Sequence, residues 1–196
     1  MIIDTIHISD INDGDLLMLN GKTFLAKGIK TAQYIKFKKD LKQLGYNDAE
    51  IKFITSLNHV GWFEWSKDNK LYVNEQDYPG KYQQSSFKKE FIDTKQDIYC
   101  FKFKNELKPF GVISMRIDSR DMQGSDDVLN YSYSSYIAFI YNTVIDVLFN
   151  KEKWILQDTK GTTCSQIVAK LYQKHFNLFT EKDYRQWYPC EFVWQK

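Results

Sequence analysis

Short apolar runs that end in turn-forming residues predict the strands of this chain. The run at residues 16–19 follows an Asp-Gly-Asp turn signal and has the length of a buried strand. Residues 59–65 and 71–75 flank a polar stretch containing Asn69, which tolerates a positive φ, so they predict a hairpin. The predicted strands, in chain order, are residues 16–19, 59–65, 71–75, 98–103 and 111–117.

Apolar residues spaced three and four apart predict the helices. Asn47 followed by Glu50 has the pattern of a capping box, which predicts the start of a short second helix. The predicted helices are residues 28–45, a short stretch after Asn47, residues 131–150 and a last helix that begins after Thr163.

The mixture of strands and helices predicts the α+β class, with an antiparallel sheet packed against the last helix. The chain has 196 residues, of which 43% are hydrophobic and 27% charged, a composition typical of globular domains. We interpret residues 1–196 as a single domain with a helical insertion at about residues 28–56.

The charge balance and the cysteine count exclude several classes of protein. Lysine and arginine number 27 against 25 acids, and this formal net charge of +2 argues against a dedicated nucleic-acid binder. No apolar run approaches the roughly 20 residues of a membrane span. Three cysteines at wide spacing fit neither a disulfide framework nor a zinc ribbon.

The acidic N-terminal segment lacks the basic region of a signal peptide. We therefore expect a cytoplasmic protein or one released by a route that needs no such signal, for instance within a particle. The pattern assigns no compartment beyond that.

One predicted helix is strongly basic. It carries five lysines against the single acid Asp40, and such a charge run is most often a solvated face. The functional alternative is that the helix from Lys30 to Lys42 contacts an anionic polymer or a lipid surface. The five residues are Lys30, Lys36, Lys38, Lys39 and Lys42.

Cys164 stands at the first position of the last predicted helix. Thr163, Cys164, Ser165 and Gln166 fit the S/T-x-x-E/Q capping box ahead of an apolar run. A thiol at this position feels the helix dipole and free N–H groups, which favour the nucleophilic thiolate and can help to hold an oxyanion. The alternative is a small buried residue in a helix that begins with threonine.

A thiolate nucleophile needs a base, and the chain has three histidines. His7 lies in the acidic N-terminal segment without a framing motif. His175 lies about three helical turns after Cys164 on the same helix, too far away to reach its thiol. His59 opens a predicted strand and remains as the candidate base, the alternative being a half-buried histidine bonded to the backbone.

Four short segments follow one another along the chain in the same order as the motifs of a known family. Each lies on the type of element, strand or helix start, that carries the corresponding motif there. They are Asp-Gly-Asp-Leu-Leu at 13–17, Asn-His-Val-Gly at 58–61, Leu-Tyr-Val-Asn-Glu at 71–75 and Thr-Cys-Ser-Gln-Ile-Val at 163–168. In this order they resemble the circularly permuted, NlpC-like branch of the papain-fold cysteine hydrolases. That branch has a GDLL-like opening strand, an HVG-like strand with the base, a strand with a polar or acidic residue, and an FCSELV-like helix start with the nucleophile.

The resemblance runs from about residue 13 to about residue 172, with poor matches at 28–56 and 105–130. The chain departs from the pattern at Thr163, where an aromatic residue is usual, and at Gln166, where an acid is common. A glutamine keeps the capping role.

The alternation of side chains along the predicted hairpin limits which residue can join Cys164 and His59 as the third member of the site. A three-residue loop over 67–69 pairs Phe63 with Val73 and Gly61 with Glu75, which puts Glu75 on the face of His59. A two-residue loop puts Asn74 and Gln76 there instead. The family pattern favours a polar residue near position 75 and so implies Glu75. The alternative is a solvated acid at the end of a strand.

The resemblance implies a cysteine hydrolase. Cys164 would attack a carbonyl, His59 would transfer the proton and Glu75 would orient the imidazole. The implied substrate is an amide in a cell-wall peptide or another short peptide, cleaved through a thioester without a metal or organic cofactor. Two alternatives remain: an ester or acyl lipid, as in lecithin–retinol acyltransferase-like enzymes, and a catalytically inactive binding or assembly module.

Overall fold

The computed structural model describes residues 7–76, 82–88, 97–103, 107–124 and 163–194, together with positions 137, 141, 142, 145 and 149. These five separate positions are helical. The rest of the helix predicted over residues 131–150 lies outside the described residues.

Within the described residues, five strands and five helices have both ends defined. The strands are β1 (Leu16–Leu19), β2 (His59–Trp65), β3 (Leu71–Gln76), β4 (Tyr82–Ser86) and β5 (Ile98–Phe101). The helices are α1 (Phe24–Gln43), α2 (Asp48–Ser56), α3 (Pro109–Gly124), α4 (Cys164–Phe176) and α5 (Glu191–Trp194). Short 3₁₀ turns cover Ile8–Asp10 and Tyr184–Gln186.

The strands form an antiparallel sheet in the order β4-β3-β2-β1-β5. Helices α1 and α2 lie in the chain between β1 and β2, where the helical insertion is predicted. Asn47 caps α2 through a complete capping box with Glu50, as predicted. Mixed helices and strands with an antiparallel sheet confirm the α+β class.

Two elements differ from the prediction. Residues 111–117, predicted as a strand, belong to helix α3, which begins at Pro109, a residue favoured at the first helical position. Its buried residues Val112, Met115 and Ser119 follow helical spacing, while the apolar residues between them are exposed. Strand β4 was not predicted, because its sequence Tyr-Gln-Gln-Ser-Ser has no apolar alternation. It lies at the edge of the sheet.

Alternation along β1 and β2 sends side chains to two separate cores. Leu16, Met18, Val60 and Trp62 pack with α4, whose apolar stripe is fully buried. Leu17 and its neighbours on the opposite face pack with Phe87 in a second core. This places the start of α4 against the end of the sheet where β2 begins.

The aromatic C-terminal segment is part of the fold. Trp187 and Phe192 belong to the core around α4, and Tyr188 and Cys190 pack with α1 and α2. None of the helices in the described ranges is long and apolar enough to cross a membrane.

Candidate active site

The hairpin of β2 and β3 has the register predicted from a three-residue loop. The Ser66 N–H donates to the Lys70 carbonyl at 2.9 Å, and Asn69 has a φ of 55°. Gly61 is therefore paired with Glu75. The same register would pair His59 with position 77, which lies outside the described residues.

Glu75 contacts the imidazole of His59. The His59 Nε2 and the Glu75 Oε2 are 2.7 Å apart, and the two side chains are only 13% and 6% exposed. The other carboxylate oxygen, Oε1, accepts a hydrogen bond from Gln83 Nε2 at 3.4 Å. Of the alternatives, Asn74 instead donates to Glu64 Oε2 at 3.1 Å, and the side chain of Gln76 lies outside the described part of the structure.

Gly61 lets β3 approach β2 closely at this point. A Cβ built on Gly61 would lie 2.5 Å from the Asn74 carbonyl oxygen and 3.2 Å from the Glu75 Cβ. Contacts that short are not tolerated, so a larger residue would push β3 away. The glycine two positions after His59 therefore serves the His59–Glu75 contact.

Cys164 is the first residue of α4, as predicted, and is only 3% exposed. Its helix start is held by the Gln166 side chain, whose Oε1 accepts the Thr163 N–H at 2.9 Å. The first intrahelical bond runs from the Ile167 N–H to the Thr163 carbonyl at 3.1 Å. The capping box engages the N–H groups of Thr163 and Gln166, whereas those of Cys164 and Ser165 have no carbonyl in a preceding turn and remain available to an anion.

The Cys164 thiol lies close enough to His59 to act on the pKa of its imidazole. Burial by itself lowers the pKa of His59, but the charges of Cys164 and Glu75 and hydrogen bonds to both raise that pKa well above its ordinary value. The contact with Glu75 uses Nε2 of the His59 ring. His59 therefore interacts with both a thiol and a carboxylate.

The other cysteines have no such surroundings. Burial, with a contribution from the charge of Asp15, raises the pKa of Cys100 to about 12. Burial, together with the charge of Glu191, also raises the pKa of Cys190 well above its ordinary value. Both effects hold these thiols in the neutral, unreactive form at neutral pH.

The other histidines lie away from Cys164. His175 Nε2 is 2.8 Å from Asp118 Oδ2, at the opposite end of α4. His7 is exposed and precedes the first 3₁₀ turn.

Two residues at this site were missed by the sequence analysis, and a third, Asn58, was given no role there. Gln83 lies on the unpredicted strand β4, so no sequence signal pointed to it. Asn58 precedes His59 in the second motif, and its Oδ1 accepts the Gly21 N–H at 2.7 Å, which anchors the beginning of β2. Arg185 contributes a backbone carbonyl, for which a sequence carries no signal.

Within the described ranges no group of three or more His, Cys, Asp and Glu side chains is arranged to hold a metal ion. A scan against protein-family models finds no family that matches this chain, and a search of curated proteins finds no significant match. The chemical interpretation therefore depends on the geometry of Cys164, His59 and Glu75 and on the order of the motifs that carry them.

Proposed function

We propose that this protein is a thiol hydrolase with the permuted papain-like architecture that its four motifs resemble. Cys164 is the nucleophile, His59 the general base and acid, and Glu75 the residue that orients the imidazole. The observation that carries the proposal is that the buried His59 imidazole contacts the Glu75 carboxylate at 2.7 Å while the Cys164 thiol helps to raise the pKa of the same imidazole.

The reaction has two halves, each with a balanced proton transfer. The thiolate attacks the substrate carbonyl, and the N–H groups at the start of α4 help to hold the oxyanion. His59 gives its proton to the leaving amine as the carbon–nitrogen bond breaks, which leaves a thioester on Cys164. His59 then takes a proton from water, whose oxygen attacks the thioester, and returns that proton to the Cys164 sulfur.

The substrate class follows from the resemblance. It is an amide in a cell-wall peptide or another short peptide. Esters and acyl lipids react through the same three residues, by hydrolysis or by acyl transfer, so a panel of both substrate types separates these outcomes. A binding or assembly module would keep the fold but show no turnover with either type.

The basic helix from Lys30 to Lys42 is proposed to contact an anionic polymer or lipid surface. In the C-terminal half, Lys38 lies 5.0 Å from the ring of Tyr34, and Lys42 pairs with Asp48 at 3.1 Å. Burial lowers the pKa of Lys30, and the charges of Lys22 and Lys27 lower it further. Cosedimentation with phosphatidylglycerol vesicles, but not with phosphatidylcholine vesicles, is expected, and binding should weaken with salt.

Steady-state rates of variants test the mechanism. We expect Cys164→Ala to remove turnover and His59→Ala to be nearly as severe, with little further loss in the double variant, because the two residues act as one unit. Glu75→Gln should cost about ten- to a hundredfold, since an amide still accepts the imidazole N–H. Cys100→Ala is the matched control and should keep its activity.

Intact-mass spectrometry after rapid quenching should show a covalent acyl adduct that is absent from Cys164→Ala. Full activity in Cys164→Ala would refute the mechanism. A neutral Glu75→Gln combined with a damaging Asn74→Ala would show that the third residue is wrong. A lack of turnover and of adduct across amides and esters would favour the binding module.

A further inference from the structure

The side chain of Gln166 joins the start of α4 to the C-terminal segment. Its Oε1 accepts the Thr163 N–H at 2.9 Å, and its Nε2 donates to the Arg185 carbonyl at 3.1 Å. The residue is only 9% exposed, so both bonds are largely shielded from water. One amide therefore connects the residue before Cys164 with a segment about twenty residues further along the chain.

The carbonyl that Gln166 binds belongs to a well-held turn. Arg185 lies in the 3₁₀ turn Tyr184–Gln186, whose cap is the Asp183 carboxylate, which accepts the Arg185 N–H at 2.9 Å. Directly after this turn comes Trp187, which is 1% exposed in the core around α4. The carbonyl is thus a fixed point against which the helix start can be held.

Only a neutral amide can make both bonds. A carboxylate at position 166 can accept the Thr163 N–H, but it cannot donate to the Arg185 carbonyl. It would also bring a negative charge into the first turn beside Cys164, where it would oppose the thiolate. An apolar side chain of the same length makes neither bond.

We propose that Gln166 is a positioning residue, whose amide holds the backbone of Thr163 and Cys164 so that the thiol faces His59. The proposal rests on Cys164 being the nucleophile. Gln166 does not touch the reacting atoms and acts only through the backbone of α4.

Gln173 provides a matched control on the same helix. Its Nε2 donates to the Lys182 carbonyl at 2.9 Å and also to the Phe179 carbonyl. It therefore ties α4 to the C-terminal segment with the same chemistry, but about 13 Å along the helix axis from Cys164. Changes at Gln173 should affect stability without affecting the position of the thiol.

The test measures the rate at which iodoacetamide labels Cys164 between pH 5 and 10, with peptide mass spectrometry as the readout. The charged groups brought to this end of α4 include His59 and Glu75 from the sheet and Asp183 with Arg185 from the C-terminal segment. All four are unchanged in the variants.

We expect the midpoint of labelling to rise by about half a pH unit in Gln166→Met, because the thiol loses its alignment with the imidazolium. Gln166→Glu should raise it further, by about one unit, because it adds a negative charge. Gln173→Met and Gln173→Glu should leave the midpoint within about 0.2 units of the unmodified protein, even where thermal unfolding shows the same loss of stability.

An unchanged midpoint in Gln166→Met would overturn the proposal, and so would equal shifts in the Gln166 and Gln173 pairs. If Gln166→Met does not fold, Gln166→Asn carries the test, because its shorter neutral amide cannot span both bonds and adds no charge. The readout needs no substrate. A normal labelling profile without any turnover would count against the hydrolase, whereas an unmoved midpoint in a working hydrolase would count only against Gln166.

Discussion

Brief labelling with iodoacetamide at pH 7.5 places two physical effects in direct opposition. Cys100 is partly exposed, whereas Cys164 is 3% exposed, so access alone predicts that Cys100 reacts first. Electrostatics predicts the reverse, because Cys164 is the first residue of a helix and lies beside the His59 imidazole, and both neighbours favour the reactive thiolate. We expect Cys164 to react first.

The size of the effect follows from the surroundings of Cys100. Its pKa of about 12 leaves a thiolate fraction of about 3 in 100,000 at pH 7.5. A thiol of ordinary pKa has roughly a tenth of its molecules as thiolate at that pH, some three thousand times more. Burial slows the access of iodoacetamide to Cys164 and so reduces this advantage. We therefore expect Cys164 to label on the order of a hundred times faster than Cys100.

The assay is peptide mapping after labelling times of seconds to minutes under native conditions. A second arm uses His59→Asn, which should slow the labelling of Cys164 by at least about tenfold because the imidazolium no longer stabilises the thiolate. His175→Asn is the matched control, since His175 pairs with Asp118 at the far end of α4. Faster labelling of Cys100 would refute the reasoning, and so would equal effects of the two histidine changes.

Three further predictions follow from named contacts. In a histidine NMR titration, Cys164→Ser should lower the raised pKa of His59. Because that pKa is higher in the folded than in the unfolded protein, the stability that the imidazolium contributes is fully present below about pH 6.5 and is lost as the pH rises through the pKa of His59 in the folded protein. Gly61→Ala should cost about 1–3 kcal/mol in urea unfolding and reduce turnover, because its Cβ would lie 2.5 Å from a backbone carbonyl of β3. Lys182→Met should cost about 3–5 kcal/mol by the same measurement, because it leaves the charge of Glu191, 2% exposed and 2.6 Å from the Lys182 ammonium, without its counterion. Adding Glu191→Gln, which removes that charge but keeps an acceptor for the Tyr188 N–H, should restore most of the loss, and a double variant no more stable than Lys182→Met would contradict this.

Local interactions explain the elements that were predicted correctly. The loop over residues 67–69 sets the pairing of β2 with β3, because one residue with positive φ and a short polar stretch leave few ways to turn the chain. That pairing places Glu75 on the face of His59 before any other element is considered. Likewise, the pattern from Thr163 to Gln166 lies within four residues and is sufficient to put Cys164 at the start of a helix.

Packing overrode the local pattern at two places. Residues 111–117 are rich in β-branched side chains, yet they form part of α3, because Val112 and Met115 meet the core only at helical spacing. Strand β4 has a polar sequence, and its backbone bonds to β3 form it at the edge of the sheet. Edge strands of this kind carry no periodic signal.

The residues brought together around Cys164 were decided by the tertiary structure. His59 and Cys164 lie more than a hundred residues apart, and they meet because the core of α4 against β1 and β2 sets where the helix begins relative to the sheet. Gln83 reaches Glu75 only through the register of β4, and Gln166 reaches a backbone carbonyl of Arg185. The chain alone determined the chemistry of each candidate and its place on a strand or helix, because hydrogen bonds within a few residues set turns and caps. Which groups touch depends on how buried faces pack over long separations, and a local pattern of residues does not contain that information.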